Sequence, residues 1–254
     1  HSTAPAPVSA ILSGIFIKII GLYRMIRVFF CIFEMTTTIS WILMVLGSIS
    51  LLLGVFLALG QWDSKRLLAY HSISQMGYIL LGLGIATPLG ILGALFHLVN
   101  HALFKGLLFL DAGSVEMQTG TRELKELGGL NQRMPVTGTT SAIASLSISG
   151  FPPFNGFWSK LIIIIAAIYA GYPWFAAVAA IGSILTMASF LKLERYIFFG
   201  SLPEKWRSIK EAPVLMCIPM VLLAAACLGI GIAFPWIIDS FIQPAANAIL
   251  MLGG

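Results

Sequence analysis

Three lysines stand inside stretches that are otherwise apolar: Lys18, Lys105 and Lys160. A charge at the centre of a bilayer costs at least about 2.5–3.5 kcal/mol on insertion scales, so such a residue is expected to face a polar interior rather than lipid. A lysine in a low-dielectric setting favours its neutral form, and a carboxylate beside it favours the charged one. A lysine moved between two such settings takes up and releases a proton. Lys18 falls near mid-depth of its stretch and Lys160 just after a segment rich in Gly and Pro, so snorkelling to the interface suits neither. For Lys105 snorkelling stays open as the alternative.

Two histidines join Lys105 at intervals of four. His97, His101 and Lys105 therefore lie along one face of a helix. Imidazole titrates near neutrality and both takes and gives protons. A His–His–Lys stripe with water between its groups carries protons laterally. Histidines four apart can also hold a metal, but no third ligand stands near them and no metal is expected. Helix–helix packing through histidine hydrogen bonds is the other alternative, strongest for His97 taken alone. The three residues together favour the relay. His71, in Tyr70-His71-Ser72-Ile73-Ser74-Gln75, has two readings of equal standing. It feeds the relay from water, or it is a hydrogen-bonding residue in a polar helix start. Asp111, six residues past Lys105, points off the stripe and is read as lying near the membrane surface. Glu34 reads as solvated between spans. No mid-membrane glutamate is evident, although a pumping lysine calls for a carboxylate to modulate it.

The elements that position these residues follow from composition. Hydrophobic residues make up 58% of the 254 and charged residues only 10%, with a mean hydropathy of +0.95. A soluble domain carries about 25% charged residues, so lipid is the natural solvent for this chain. The net charge of +5 does not indicate nucleic acid, because the basic residues sit between apolar spans and act as orientation signals. Cys31, Cys217 and Cys227 form no CxxC pair, which leaves no iron–sulfur or zinc site. They read as apolar packing residues, and no cofactor is expected in this chain. The chain begins at His1 with no signal-peptide pattern after it, and is read as part of a longer protein rather than a processed one.

A membrane-spanning helix needs about 20 mostly apolar residues. Seven such spans are expected, at residues 7–30, 39–60, 67–85, 88–115, 135–171, 173–199 and 213–235, with 236–252 as an interfacial tail. The fold class is thus an all-α integral membrane protein. Of the 15 Lys and Arg, Arg24 and Arg27 fall on one side. Lys65, Arg66, Arg122, Lys125, Arg133, Lys192, Arg195, Lys205, Arg207 and Lys210 fall on the other. By the positive-inside rule the N-terminus is cytoplasmic and the C-terminus outside, in a multi-pass protein of the cell membrane.

The span 135–171 is too long for one simple helix. It contains Ser147-Ile148-Ser149-Gly150-Phe151-Pro152-Pro153-Phe154-Asn155-Gly156-Phe157. Pro152 and Pro153 remove backbone donors and clash with the preceding turn, while Gly150 and Gly156 permit unusual dihedrals. A helix broken at membrane depth results, a device of transporters at their ion sites. A tight surface loop between two short helices is the alternative. The segment Thr121–Leu130 reads as an amphipathic surface helix without chemistry.

These residues resemble the antiporter-like subunits of complex I, membrane-bound hydrogenases and multi-subunit Mrp-type Na⁺/H⁺ antiporters. The resemblance rests on His1-Ser2-Thr3-Ala4-Pro5-Ala6-Pro7-Val8-Ser9-Ala10 through Lys18, and on Lys65-Arg66-Leu67-Leu68-Ala69-Tyr70-His71-Ser72-Ile73-Ser74-Gln75-Met76-Gly77-Tyr78. It also rests on His97 through Gly113, and on Gly150 through Phe157 with Lys160. It implies a core of fourteen helices with two inverted five-helix repeats, of which this chain supplies family helices 8–14. Residues 1–30 then complete a preceding repeat. Residues 31–200 form one five-helix repeat broken at 150–157, and 201–254 the final helix and tail.

The resemblance also implies roles. Lys18 matches the lysine linking two half-channels, His97, His101 and Lys105 the central relay, and Lys160 the lysine of the second broken helix near the outward exit. The family's upstream glutamate and lysine have no counterpart here, so another chain is expected to supply the upstream helices, with a split gene preferred over a fragment. The expected function is translocation of H⁺ or Na⁺ within a redox-driven complex I-type assembly, hydrogenase-like or sulfur-reducing. Its partners would be other membrane subunits, lipid, and the iron–sulfur and catalytic subunits of a peripheral arm. The chain would be a subunit of an oxidoreductase complex and not an enzyme by itself. Two alternatives stand beside this: a subunit of an Mrp-type antiporter without a redox partner, and a structural half-subunit.

Overall fold

The computed structural model describes residues 6–32 and 35–252. The opening residues His1–Pro5 of the resemblance, and Glu34, lie outside the described residues, as does the side chain of Cys31. Among the described residues the chain is helical, with no strand beyond one isolated bridge between Asp63 and Glu123.

Helix α1 (Val8–Phe30) widens to i→i+5 turns at Leu12–Phe16 and again at Arg27–Ile32, a local insertion that re-aims the side chains around it. Helix α2 (Thr37–Leu59) starts where the Thr36 hydroxyl accepts from the Ile39 N–H. Helix α3 (Ser64–Gly84) starts where Asp63 accepts from the Arg66 N–H. Such side-chain caps satisfy donors that the first turn leaves unpaired. Helix α4 (Pro88–Thr119) has Pro at its first position, a Thr87 cap, and Gly120 at φ +72° to end it. Its 32 residues run about 48 Å at about 1.5 Å per residue. It is the buried axis of the bundle, packed by α1, α3 and every later helix from α5 to α8 except α7.

The expected break falls where the Gly-Pro sequence placed it. Helix α5 (Pro135–Ser149) ends on Gly150 at φ +81°, and α6 (Asn155–Tyr169) begins after Phe154. Each half has 15 residues, about 22 Å of helix against about 30 Å of hydrocarbon. The two halves overlap side by side. A Cβ at Gly156 would collide with the Ser147 carbonyl, so only glycine lets the start of α6 lie against the end of α5. Helices α7 (Pro173–Ile197) and α8 (Val214–Ile232) follow.

Five helices, α1, α2, α4, α7 and α8, are long and apolar enough to cross a membrane. The expected count of seven includes α3 and the α5–α6 pair, which do not meet that measure. Helix α3 buries a polar set, His71, Ser72, Ser74 and Gln75, and α5 and α6 are each short. Helix α3 instead adheres to α2 by close backbone approach. Gly47 and Gly54 of α2 meet Gly77 and Ser74 of α3, and a Cβ at Gly77 would sit 2.6 Å from the Leu51 nitrogen. Small residues let helices pack in this way where lipid offers no hydrophobic drive.

One expectation needs correcting. Thr121–Leu130 is not an amphipathic helix. It holds single turns at Leu124–Glu126 and Leu130–Gln132, separated by Gly128 (φ +153°) and Gly129 (φ +60°). Those glycines break the helix, while Leu124, Leu127 and Leu130 still bury themselves against Leu193, Ile197 and Phe198. The stretch after Pro235, expected as a tail, is helical, in segments Phe234–Ile237, Ile238–Ile242 and Gln243–Leu252, and Ile242 and Ala246 pack in one cluster with Leu22, Ile26 and Phe30 of α1.

Candidate functional site

The widened turn of α1 brings Ser13 and Lys18 together: Lys18 Nζ donates to Ser13 Oγ at 2.9 Å. The same Nζ lies 3.4 Å from His101 Nε2 on α4. Ser13 is 3.2 Å from Ser72 of α3, whose hydroxyl reaches the Leu68 carbonyl. That carbonyl also accepts from Lys105 Nζ at 2.6 Å. Lys18, His101 and Lys105 thus meet around one polar knot between α1, α3 and α4, and all three are buried.

One turn along α4, His97 Nδ1 lies 2.9 Å from the Ser159 hydroxyl of α6. The Tyr78 ring lies 5.5 Å from the His97 ring and 4.6 Å from Lys160 Nζ, while its hydroxyl donates to the Ala179 carbonyl of α7 at 2.6 Å and lies 2.8 Å from the Ser183 hydroxyl. Lys160 Nζ donates to the Ile148 carbonyl at 2.7 Å. That carbonyl belongs to the last turn of α5, where the helix dipole is negative and carbonyls lack helical partners. The break therefore builds a cation seat, with Gly150 leaving room for the lysine chain: a Cβ there would stand 3.1 Å from Lys160 Cδ. Asn155 at the start of α6 is paired with Asn100 of α4, by bonds of 3.0 Å in each direction, and accepts from Ser147.

Lys18, Lys105 and Lys160 make no ion pair among the described residues. Each is held by neutral oxygen: a hydroxyl, the Leu68 carbonyl and the Ile148 carbonyl. A buried ammonium without a counter-charge is costly. His97 Nε2 and His101 Nδ1 are buried and have no protein partner, which leaves each imidazole anchored at one nitrogen and open at the other.

His71 is buried but stands apart from the two histidines of α4. Its Nε2 lies 2.8 Å from Ser189 of α7, and its ring packs on Phe190 at 4.6 Å. No group of three His, Cys, Asp or Glu with metal-holding geometry occurs among the described residues. A cleft of about 640 Å³ opens between α1 and α3, with Lys18, Tyr70, Ser72 and Met76 in its wall.

Acidic residues are placed differently from the sequence reading. Glu194 sits inside α7 with 6% exposure, and its Oε1 accepts from Ser141 and Ser145 of α5, each at 2.7 Å. A buried glutamate is therefore present. Asp111 is buried in the protein too and accepts from Thr140 at 2.8 Å. Lys65, read as an orientation charge, is buried and paired with Glu116 at 2.7 Å. The missed signal in sequence was Ser141, Ser145 and Ser149, a hydroxyl every fourth residue on α5, facing a glutamate in the last turn of α7.

The transmembrane model of the NADH:quinone oxidoreductase/Mrp antiporter family matches residues 1–186. The chain is 37% identical over 264 residues to "Hydrogenase-4 component B" of Escherichia coli (strain K12), covering 93% of this chain and 39% of that one. Among solved structures, it superposes with TM-score 0.91 and 29% identity on a chain of the Mrp complex from Dietzia sp. DQ12-45-1b, covering all of this chain and 56% of that one. It superposes with TM-score 0.81 and 36% identity on a chain of the membrane-bound sulfane sulfur reductase, an archaeal respiratory membrane complex, covering 88% of this chain and 38% of that one. The chain spans about half the length, or less, of the curated relatives it matches (39%, 49% and 52%). It belongs to the NADH:quinone oxidoreductase/Mrp antiporter family of multi-pass membrane proteins, as an antiporter-like membrane subunit.

Proposed function

We propose that this subunit translocates protons along the line Lys18–His101–Lys105, with His97, Tyr78 and Lys160 continuing it to the broken helix. The single observation that carries the reading is the set of three buried lysines held by neutral groups and by no carboxylate, Lys18 by a hydroxyl and by His101, and Lys105 and Lys160 by carbonyls, with two imidazoles between them that have one open nitrogen each. Lys18 and His101, and His97 and Ser159, stand at hydrogen-bond spacing, and amines and imidazoles exchange protons directly or through water between them, whereas a hard cation such as Na⁺ calls for a cage of oxygen ligands. On this reading Lys18 is the link to groups beyond the chain, reached through the cleft beside it, and Lys160 is the exit. Domain roles follow: residues 31–200 form the repeat that holds the line, and α1 brings Lys18 to it. The basic rim at Lys65, Arg122 and Lys125 faces the cytoplasm, with the N-terminus on the same side by the charge bias.

The assembly we favour is a redox-driven respiratory complex, hydrogenase-like or sulfur-reducing, with catalytic and iron–sulfur subunits in a peripheral arm. Its support is the likeness to a hydrogenase component and to a chain of the sulfane sulfur reductase. The likeness to a chain of the Mrp complex favours a second reading, an antiporter without a redox partner. Purification of the native complex with identification of its chains by mass spectrometry separates the two. Iron–sulfur subunits support the first, and antiporter subunits alone support the second. For the line itself, Lys160→Ala in the reconstituted complex is expected to lower proton uptake about 100-fold. Uptake at the wild-type rate would remove Lys160 from the path.

A further inference from the structure

Outside the lysine line, three carboxylates gather on the first turns of α5, at its end remote from the break. Glu211, just before α8, accepts from the Val136 N–H at 2.8 Å and the Thr137 hydroxyl at 2.6 Å. Asp111 reaches in from α4 to Thr140, and Glu194 from α7 to Ser141 and Ser145. Glu194 and Asp111 are at least nine-tenths buried. Asp111 Oδ2 and Glu194 Oε2 have no protein partner, and neither residue makes an ion pair among the described residues. A buried carboxylate without a cation needs a proton or a bound ion to offset its charge.

Glu194 also lines a cavity of about 200 Å³, together with Ser145, Ser149, Leu146 and Phe190. The hydroxyls of Ser141, Ser145 and Ser149 run along one face of α5 toward the break. Ser149 lies between Ile148, whose carbonyl holds Lys160, and Gly150, where a Cβ would stand 3.9 Å from Lys160 Nζ. The stripe thus leads from Glu194 to the seat of Lys160 without touching Lys18 or the histidines of α4.

We propose that Glu194, seated between Ser141 and Ser145 at the edge of this cavity, is a proton-loading site that exchanges with Lys160 along the serine face of α5. This branch rests on the reading of Lys160 as a proton carrier. It is a positioned carboxyl group on the second side of the broken helix, with Asp111 of α4 bound one residue away on α5, at Thr140, and Glu211 on the first turn of α5.

The test uses the native complex reconstituted in vesicles, with proton and sodium uptake followed separately and infrared difference spectra taken between the resting and the working complex. The expected result is a carboxylic-acid carbonyl band that changes on turnover, is lost in Glu194→Gln and returns displaced in Glu194→Asp. Proton uptake is expected to fall about 100-fold in Glu194→Gln and to return in part in Glu194→Asp. Glutamine keeps the carbonyl oxygen that accepts from both serines, so a merely structural Glu194 leaves uptake and spectrum at wild type in Glu194→Gln and overturns the proposal. Loss of sodium uptake with proton uptake intact makes this a sodium site and overturns it too. If Glu194→Gln does not assemble, Glu194→Asp decides: a displaced band supports the site and an undisplaced one overturns it. Failure of the lysine reading shows elsewhere, as wild-type uptake in Lys18→Ala and Lys160→Ala, whereas the Glu194 band is read independently of both.

Discussion

At the residue scale, the chemistry depends on what each buried group lacks. Lys18 and His101 are separated by 83 positions in sequence and meet at 3.4 Å, so neither needs a carboxylate to be drawn into the interior. Charge on one opposes charge on the other at this distance, and one proton shared between them costs less than two. His101→Gln tests this directly. Glutamine keeps a hydrogen-bonding group opposite Lys18 but carries no proton, and proton uptake is expected to fall about 100-fold with assembly intact. Uptake unchanged in that variant would place the path elsewhere. The lysines and the His–His–Lys stripe were legible because charge inside an apolar span is rare enough to stand out. Glu194 was not, because it lies in the last turn of its helix, beside Arg195, where a glutamate ordinarily meets water. Only the fold shows that Ser141 and Ser145 cover it.

At the element scale, glycine and proline decide where backbones come close. The break between α5 and α6 was readable from Gly150, Pro152, Pro153 and Gly156, because few sequences with two adjacent prolines continue a helix. The overlap of the two halves was not readable, since it depends on Gly156 meeting Ser147 across the break. Thr121–Leu130 misled for the opposite reason. Its leucines are spaced for a helix and are buried, but Gly128 and Gly129 at positive φ turn the chain before a second turn forms. The α2–α3 seam gives a stability test. Gly77→Ala would drive a methyl into the Leu51 backbone at 2.6 Å, and overpacking of this kind costs about 1–3 kcal/mol. Gly21→Ala on α1 meets nothing within 4 Å and is expected to stay within about 0.5 kcal/mol of wild type. Thermal unfolding of the detergent-solubilised protein checks both. Equal effects would mean that the seam does not hold α2 to α3.

At the scale of the whole molecule, the described helices form a bundle around α4, whose length exceeds the bilayer core and whose middle carries the titratable stripe. Helix α1 and the helical segment after Phe234 close one flank through Leu22, Ile26 and Ile242, while the cleft beside Lys18 stays open between α1 and α3. On the proposed function, that opening is where the line passes to groups beyond the described helices. The class of protein and most of its span limits were legible from hydropathy alone. Which helices touch was not, because the more polar α3 is the buried one and the more apolar α7 faces outward on much of its surface.

The most direct measurement takes the native complex with Lys18→Ala, reconstituted in vesicles, and follows its driving reaction and its proton uptake together. The account expects the driving reaction to continue while proton uptake per turnover is lost from this subunit. Uptake per turnover equal to wild type would contradict it, because a proton would then be crossing without the lysine that joins α1 to His101.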